Sequence, residues 1–130
     1  MKRVFLDTNV LLDVVLHRDG FIDGAEIMDL GEADKVEICA SYLTYANSAY
    51  IFRKYSQDKK YFILSGMTEG ITVLPMAGNQ LHKAIEHPVV DFEDMLQYQC
   101  AKAYGCDYVV TGNKKHWMFS DIPVFTSSEF

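Results

Sequence analysis

No stretch of this chain approaches the 18 or so consecutive apolar residues of a transmembrane helix, so no helical membrane span is expected. The chain does not open on a basic region followed by an apolar run and a small-residue cleavage site, so export is not expected either. Cysteine is scarce: Cys39, Cys100 and Cys106 are an odd number without metal-type spacing. They read as reduced, packing thiols in a cytoplasmic protein. Basic charge is in deficit, with 12 Lys and Arg against 18 Asp and Glu, a net charge of −6 and a pI near 5.1. That excludes non-specific nucleic-acid binding through a basic surface, but leaves open a nucleic-acid enzyme whose acidic residues hold a cation. Long linkers, repeats and low-complexity tracts are also missing.

What is present suits one compact domain over residues 1–130, with 49% hydrophobic residues to build its core. Val4-Phe5-Leu6 is a short strand-type run, and Asp7 breaks it before helix-length apolar content from Val10 to Leu16. His17-Arg18-Asp19-Gly20 reads as a turn, and Phe21, Ala25 and Met28 recur at helical spacing up to Gly31. Val36–Ala40 is a second strand. Ser41 is a suitable N-cap for a helix whose inward face would hold Leu43, Asn47, Tyr50 and Ile51. Tyr61 and Leu64 suggest a further short helix, and Ile71–Leu74 a strand closed by Pro75. A short helix covers Gln80–Glu86 up to His87-Pro88. A longer one opens at Asp91 and runs to Tyr104, with Gly105 as its stop. Tyr108–Val110 is a fourth strand, and Ile122–Phe125 a fifth, placed at an edge by Pro123. Alternating helices and short apolar strands imply an α/β fold: a parallel sheet with helices on both faces.

In such sheets ligands sit beyond the carboxyl ends of the strands. Two strand ends here carry polar groups, Asp7-Thr8-Asn9 and Thr111-Gly112-Asn113. A third contribution comes from Asp91-Phe92-Glu93-Asp94 at the start of the late helix, where Asp91 and Asp94 share a face that Tyr98 and Ala101 continue. Each has a plainer reading. Asp7, Thr8 and Asp91 are good helix caps, first-turn acids suit the helix dipole, and Glu93 is expected in solvent. Asn47 either makes a core hydrogen bond or orients a bound water or a carboxylate.

Asp7-Thr8-Asn9-Val10-Leu11-Leu12-Asp13, then Ser41, Thr44, Asn47 and Tyr50, then Asp91-Phe92-Glu93-Asp94 with Gln97, then Thr111-Gly112-Asn113, together resemble the successive motifs of PIN domains, in order and over nearly the whole chain. The resemblance implies a three-layer α/β/α fold with a mostly parallel five-stranded sheet. It also implies a Mg²⁺- or Mn²⁺-dependent ribonuclease, in many members the toxin of a VapBC-type toxin–antitoxin pair. Residue by residue, Asp7 and Asp94 resemble the metal-binding aspartates; Asn47 and Asn113 occupy further catalytic positions; Asp91, Thr8, Asn9, Thr111 and His116 stand in supporting places. Asn47 stands where many members carry glutamate, and Asn113, Gly112 and His116 where charged residues are frequent. Two carboxylates plus substrate phosphate can hold one Mg²⁺, and such an ion acts as a Lewis acid on a phosphoryl oxygen. The expected partners are RNA, an antitoxin protein and a second copy of the chain. The dimer contact is expected among the aromatics from Tyr42 to Phe62, with Arg53, Lys54, Lys59, Lys60, Lys114 and Lys115 available to RNA phosphates. A second expectation, from the thinned acidic set, is a PIN scaffold that binds RNA or protein without turnover.

Overall fold

The computed structural model describes all residues 1–130. The elements run β1 (Lys2–Leu6), α1 (Thr8–Val15), α2 (Phe21–Glu32), β2 (Val36–Ser41), α3 (Tyr42–Ile51), a 3-10 turn (Phe52–Lys54), α4 (Gln57–Gly66), β3 (Thr72–Leu74), α5 (Gly78–Glu86), α6 (Phe92–Ala103), β4 (Tyr108–Val110), a second 3-10 turn (Lys114–Trp117) and β5 (Val124–Phe125). The strands form one sheet in the order β3-β2-β1-β4-β5, and every pairing is parallel. No helix is long and apolar enough to cross a membrane.

Central β1 is covered on both faces, which is why its last three residues are uniformly apolar and buried. Side chains alternate across the sheet. Phe5, Cys39 and Val109 pack with Met95, Tyr98 and Ala101 of α6 on one side. Val4, Leu6, Ile38 and Val110 meet Val10 of α1 and Ile27 of α2 on the other. Leu11, Leu12, Phe52 and Met67 make a smaller cluster beneath α1 and α4. Close approach of α1 and α2 depends on Gly24, where a Cβ would fall 2.6 Å from Val14 Cγ2. The turn between these helices uses His17 at φ 52° and Gly20 at φ 88°. All three cysteines are buried and unpaired.

Several expectations are corrected here. Helix α1 begins at Thr8, so Asp7 is its N-cap and the break between strand and helix is a single residue. The inward face of α3 carries Thr44 and Ser48 rather than Asn47, Tyr50 and Ile51. Tyr50 is 66% exposed and Ile51 45%. Helix α3 follows β2 without a loop, so the strand end sets its rotation, and its apolar residues lie on too many sides to reveal a face. Ser41 occupies the N-cap position but makes no capping hydrogen bond, and its Oγ is buried without a partner. Of the aromatic sector, Phe52 is fully buried, while Tyr45 is partly buried and donates its hydroxyl to the Met67 carbonyl at 2.9 Å. Tyr42, Tyr61 and Phe62 remain exposed.

Candidate metal and nucleic-acid site

Because β4 lies beside β1 on the side away from β2, chain order reverses between these two strands. The polar groups gather at that switch point, where the strand ends leave a crevice. Asp7 follows β1 and Thr111 follows β4; the Asp7 amide continues the ladder by donating to the Val110 carbonyl at 3.0 Å.

The Asp7 carboxylate is held by three donors. Its Oδ1 accepts from the Thr8 amide at 2.7 Å and from Gln97 Nε2 at 2.9 Å, and its Oδ2 accepts from Thr111 Oγ1 at 2.8 Å. Thr111 Oγ1 in turn accepts from the Asn113 amide at 3.2 Å, which orients its proton toward Asp7. Thr8 Oγ1 accepts from Gln97 Nε2 at 3.3 Å and lies 3.0 Å from Thr44 Oγ1. This small network is buried: Gln97, Thr44 and Thr111 are inaccessible, and Asp7 is 6% exposed. Burial raises the pKa of Asp7, and the hydrogen bonds from Thr111, Thr8 and Gln97 only partly oppose it.

The second group stands on the first turn of α6. Asp91 caps the helix, accepting from the amides of Glu93 at 3.0 Å and Asp94 at 3.2 Å. Asp94 is 8% exposed, and its pKa is pushed up to about 7, first by burial and then by the charges of Asp7 and Asp91. His116, on the 3-10 turn after β4, brings Nδ1 within 3.4 Å of Asp94 Oδ2 and 3.9 Å of Asp91 Oδ2. The same nitrogen is 3.0 Å from Asn113 Nδ2. Asp91, Asp94 and His116 each offer a ligand atom within 4.8 Å of the others. Ligands of one divalent ion bound at 2.0–2.6 Å lie no more than about 5 Å apart, so two carboxylate oxygens and an imidazole nitrogen fit around a single cation. A cation placed there would also offset the repulsion among these acids.

Asn47 Nδ2 donates to Glu93 Oε1 at 2.6 Å across the mouth of the site. Glu93 is exposed, as expected, yet tied to the site's rim by this bond, and its pKa is raised by partial burial and by Asp91 and Asp7. Asn9 lies further out, where its carbonyl and Oδ1 accept from Arg18 at 3.3 and 3.4 Å. His116 packs on the acids instead of being merely solvated, whereas Lys114 pairs with Glu129 at 3.1 Å. Tyr98 and Ala101 continue the buried side of α6 on which Asp94 lies. Both belong to the core, with the Tyr98 hydroxyl donating to Asp121 Oδ1 at 2.7 Å. Gln97, three residues after Asp94, is what carries the face to Asp7; that spacing was the available signal. The structure therefore joins Asp7 and Thr8 through Gln97 and Thr111 directly to Asp7, and gathers Asn113 and His116 at Asp91 and Asp94, with Asn47 reaching them by way of Glu93.

A sequence model of the PIN domain matches residues 3–115. Over 135 residues the chain is 27% identical to Ribonuclease VapC1 of Aquifex aeolicus (strain VF5), covering 99% of this chain and 93% of that protein. Among solved structures it resembles a chain of the DNA-bound VapBC of Salmonella typhimurium, with a TM-score of 0.73, 18% identity, and 96% and 97% of the two chains covered. A chain of VapBC2 from Rickettsia felis, bound to a DNA fragment from its promoter, gives a TM-score of 0.71 at 16% identity, with 95% and 96% covered. At these identities the solved structures bear on the fold.

Proposed function

The chain belongs to the PIN-domain family, and on that footing we propose that it is a VapC-type endoribonuclease, the toxin of a toxin–antitoxin pair, using Mg²⁺ or Mn²⁺ to hydrolyse RNA phosphodiester bonds. One observation carries the reading: Asp7 and Asp94, 87 residues apart, come near enough that the charge of Asp7 adds to burial in raising the pKa of Asp94, and Asp91 and His116 gather at the same carboxylate. Asp94 would hold the cation with Asp91 and His116, while Asp7, the other metal-binding aspartate that the resemblance implies, is not among these three clustered ligands. Bound there, the cation supplies Lewis-acid polarisation of a phosphoryl oxygen and a water that is nucleophilic at neutral pH.

The chain's own groups do the rest. Thr111, Gln97 and the Thr8 amide fix the Asp7 carboxylate in one orientation, and Oδ2 keeps a free lone pair for an attacking water's proton. Asn113 and His116 offer donors to phosphate oxygens at the rim.

The partners follow the same reading: an RNA substrate, an antitoxin, and a second copy of the chain meeting it through the exposed Tyr61 and Phe62 of α4. The groove beside Phe62, about 380 Å³ and lined by Val14, Val15 and Ile63, suits the apolar face of an antitoxin helix. A cytoplasmic setting agrees with the three unpaired thiols. The alternative of a binding module without turnover draws on Asn47 and Asn113, neutral amides at the rim. One assay separates the two. Purified protein should cut single-stranded RNA with Mn²⁺ or Mg²⁺, and Asp7→Asn should abolish cutting. Undiminished activity in excess chelator would sink the nuclease reading, and RNA binding with no cutting in either ion would favour the binding module.

A further inference from the structure

Next to the carboxylates is a shallow cavity of about 280 Å³, walled by Thr8, Asn9, Asn47, Tyr50, Ile51 and Glu93. We propose that it is a base pocket, in which one nucleobase of a single-stranded RNA stacks on Tyr50 and is read by Asn47 and Glu93. The inference rests on RNA being the substrate.

Four features point to it. First, the volume lies at the small end of ligand pockets, near 300 Å³, which suits one planar base and not a folded peptide. Second, Tyr50 is 66% exposed, an aromatic ring left in water beside a buried site. The Arg53 guanidinium stands over the ring, 4.1 Å from its centroid, and braces it where it lines the cavity. Aromatic rings of this kind, paired with arginine, are the standard means of holding unstacked RNA bases. Third, the Asn47–Glu93 hydrogen bond uses one of the two N–H donors of the Asn47 amide. What remains for the cavity is mainly acceptor capacity, Asn47 Oδ1 and the Glu93 carboxylate, with one Asn47 N–H beside it. Such a wall favours a base with adjacent N–H donors. Guanine, with N1–H and N2–H side by side, is preferred over uracil, which has one. Fourth, in a chain of net charge −6, Arg53 puts a cation beside Tyr50, with Lys54 next in the same 3-10 turn, available to phosphates flanking a bound base. Thr8 belongs both to the cavity wall and to the Asp7 network, so a base seated here has its phosphate delivered toward the acids.

The test measures binding separately from cutting. Fluorescence anisotropy of short single-stranded RNA is followed in chelator, with wild type, Tyr50→Leu, Tyr50→Phe and Glu93→Gln. Tyr50→Leu should weaken binding by roughly 5- to 100-fold, the range of one lost base–aromatic stack, and Tyr50→Phe should restore it. RNA carrying 2-aminopurine should be quenched by wild type and not by Tyr50→Leu. Glu93→Gln should reduce the preference for G-containing over U-only RNA. With cation present, Tyr50→Leu should raise KM more than it lowers kcat. If wild type cuts RNA and Tyr50→Leu binds and cuts equally well, the pocket is overturned while the nuclease reading stands. If Tyr50→Leu loses binding only because light scattering shows its oligomeric state has changed, Tyr50 is a subunit contact and the pocket is again overturned. If wild type neither binds nor cuts RNA, the nuclease reading itself fails.

Discussion

Asp94→Asn should make the cation-free protein more stable while it destroys the site. Asp94 is 8% exposed, and its pKa is about 7 against an ordinary 3.8. An acid whose folded pKa is raised binds its proton more tightly in the folded state. Between about pH 4 and pH 7 the unfolded chain has released that proton and the folded protein has not yet done so. Stability therefore falls as pH rises, at about 1.4 kcal/mol per pH unit, and levels off above pH 7. Three units set a ceiling of about 4 kcal/mol, and salt screening and side-chain adjustment bring the cost nearer ~2 kcal/mol. Asparagine keeps the shape without the charge, and the lost contact to His116 is partly exposed and worth little. In chelator, urea denaturation followed by circular dichroism should show wild type and variant alike near pH 4. At pH 8 the variant should be about 2 kcal/mol more stable, a gain of several degrees in Tm for a chain of this size. Mn²⁺ should then stabilise wild type and leave the variant unchanged. Parallel pH profiles, or a variant less stable than wild type at pH 8, would refute the account of why these acids are crowded.

Three further outcomes are expected. Thr111→Val removes the donor to Asp7 Oδ2, a bond to a charged group in a buried setting, and should lower unfolding free energy by about 1.5–3 kcal/mol in the same urea assay. His116→Ala should weaken Mn²⁺ more than Mg²⁺ in calorimetric titration, because imidazole suits transition metals and Mg²⁺ seeks oxygen ligands. The double change Tyr61→Ser and Phe62→Ser removes side chains from residues that are 59% and 81% exposed, and light scattering should show the dimer shifted to monomer with Tm little altered. A protein that is already a clean monomer at high concentration would contradict the dimer.

Local pattern alone determines a good deal of this protein. The apolar runs at Val4–Leu6 and Tyr108–Val110, the caps at Asp7 and Asp91 and the stop at Gly105 are written in short stretches of chain, since each depends on burial or backbone geometry within a few residues. They suffice to announce parallel α/β order and to put Asp7 and Asp94 at element ends. What the tertiary structure alone decided is who meets whom. Helix α3 has apolar residues on most sides, so periodicity could not choose its face; the end of β2 chose it, burying Thr44 and leaving Tyr50 outside. Gln97 reaches Asp7 across 90 residues of sequence because β1 and α6 pack together, and Thr44 reaches Thr8 across 36. His116 arrives at Asp91 and Asp94 because the next residue, Trp117, is buried against Tyr98 and anchors the 3-10 turn. A hydrogen bond or an ion site is a relation between positions. Its residue types can be guessed from the chain, but its distances exist only once the core has fixed the orientation of each helix.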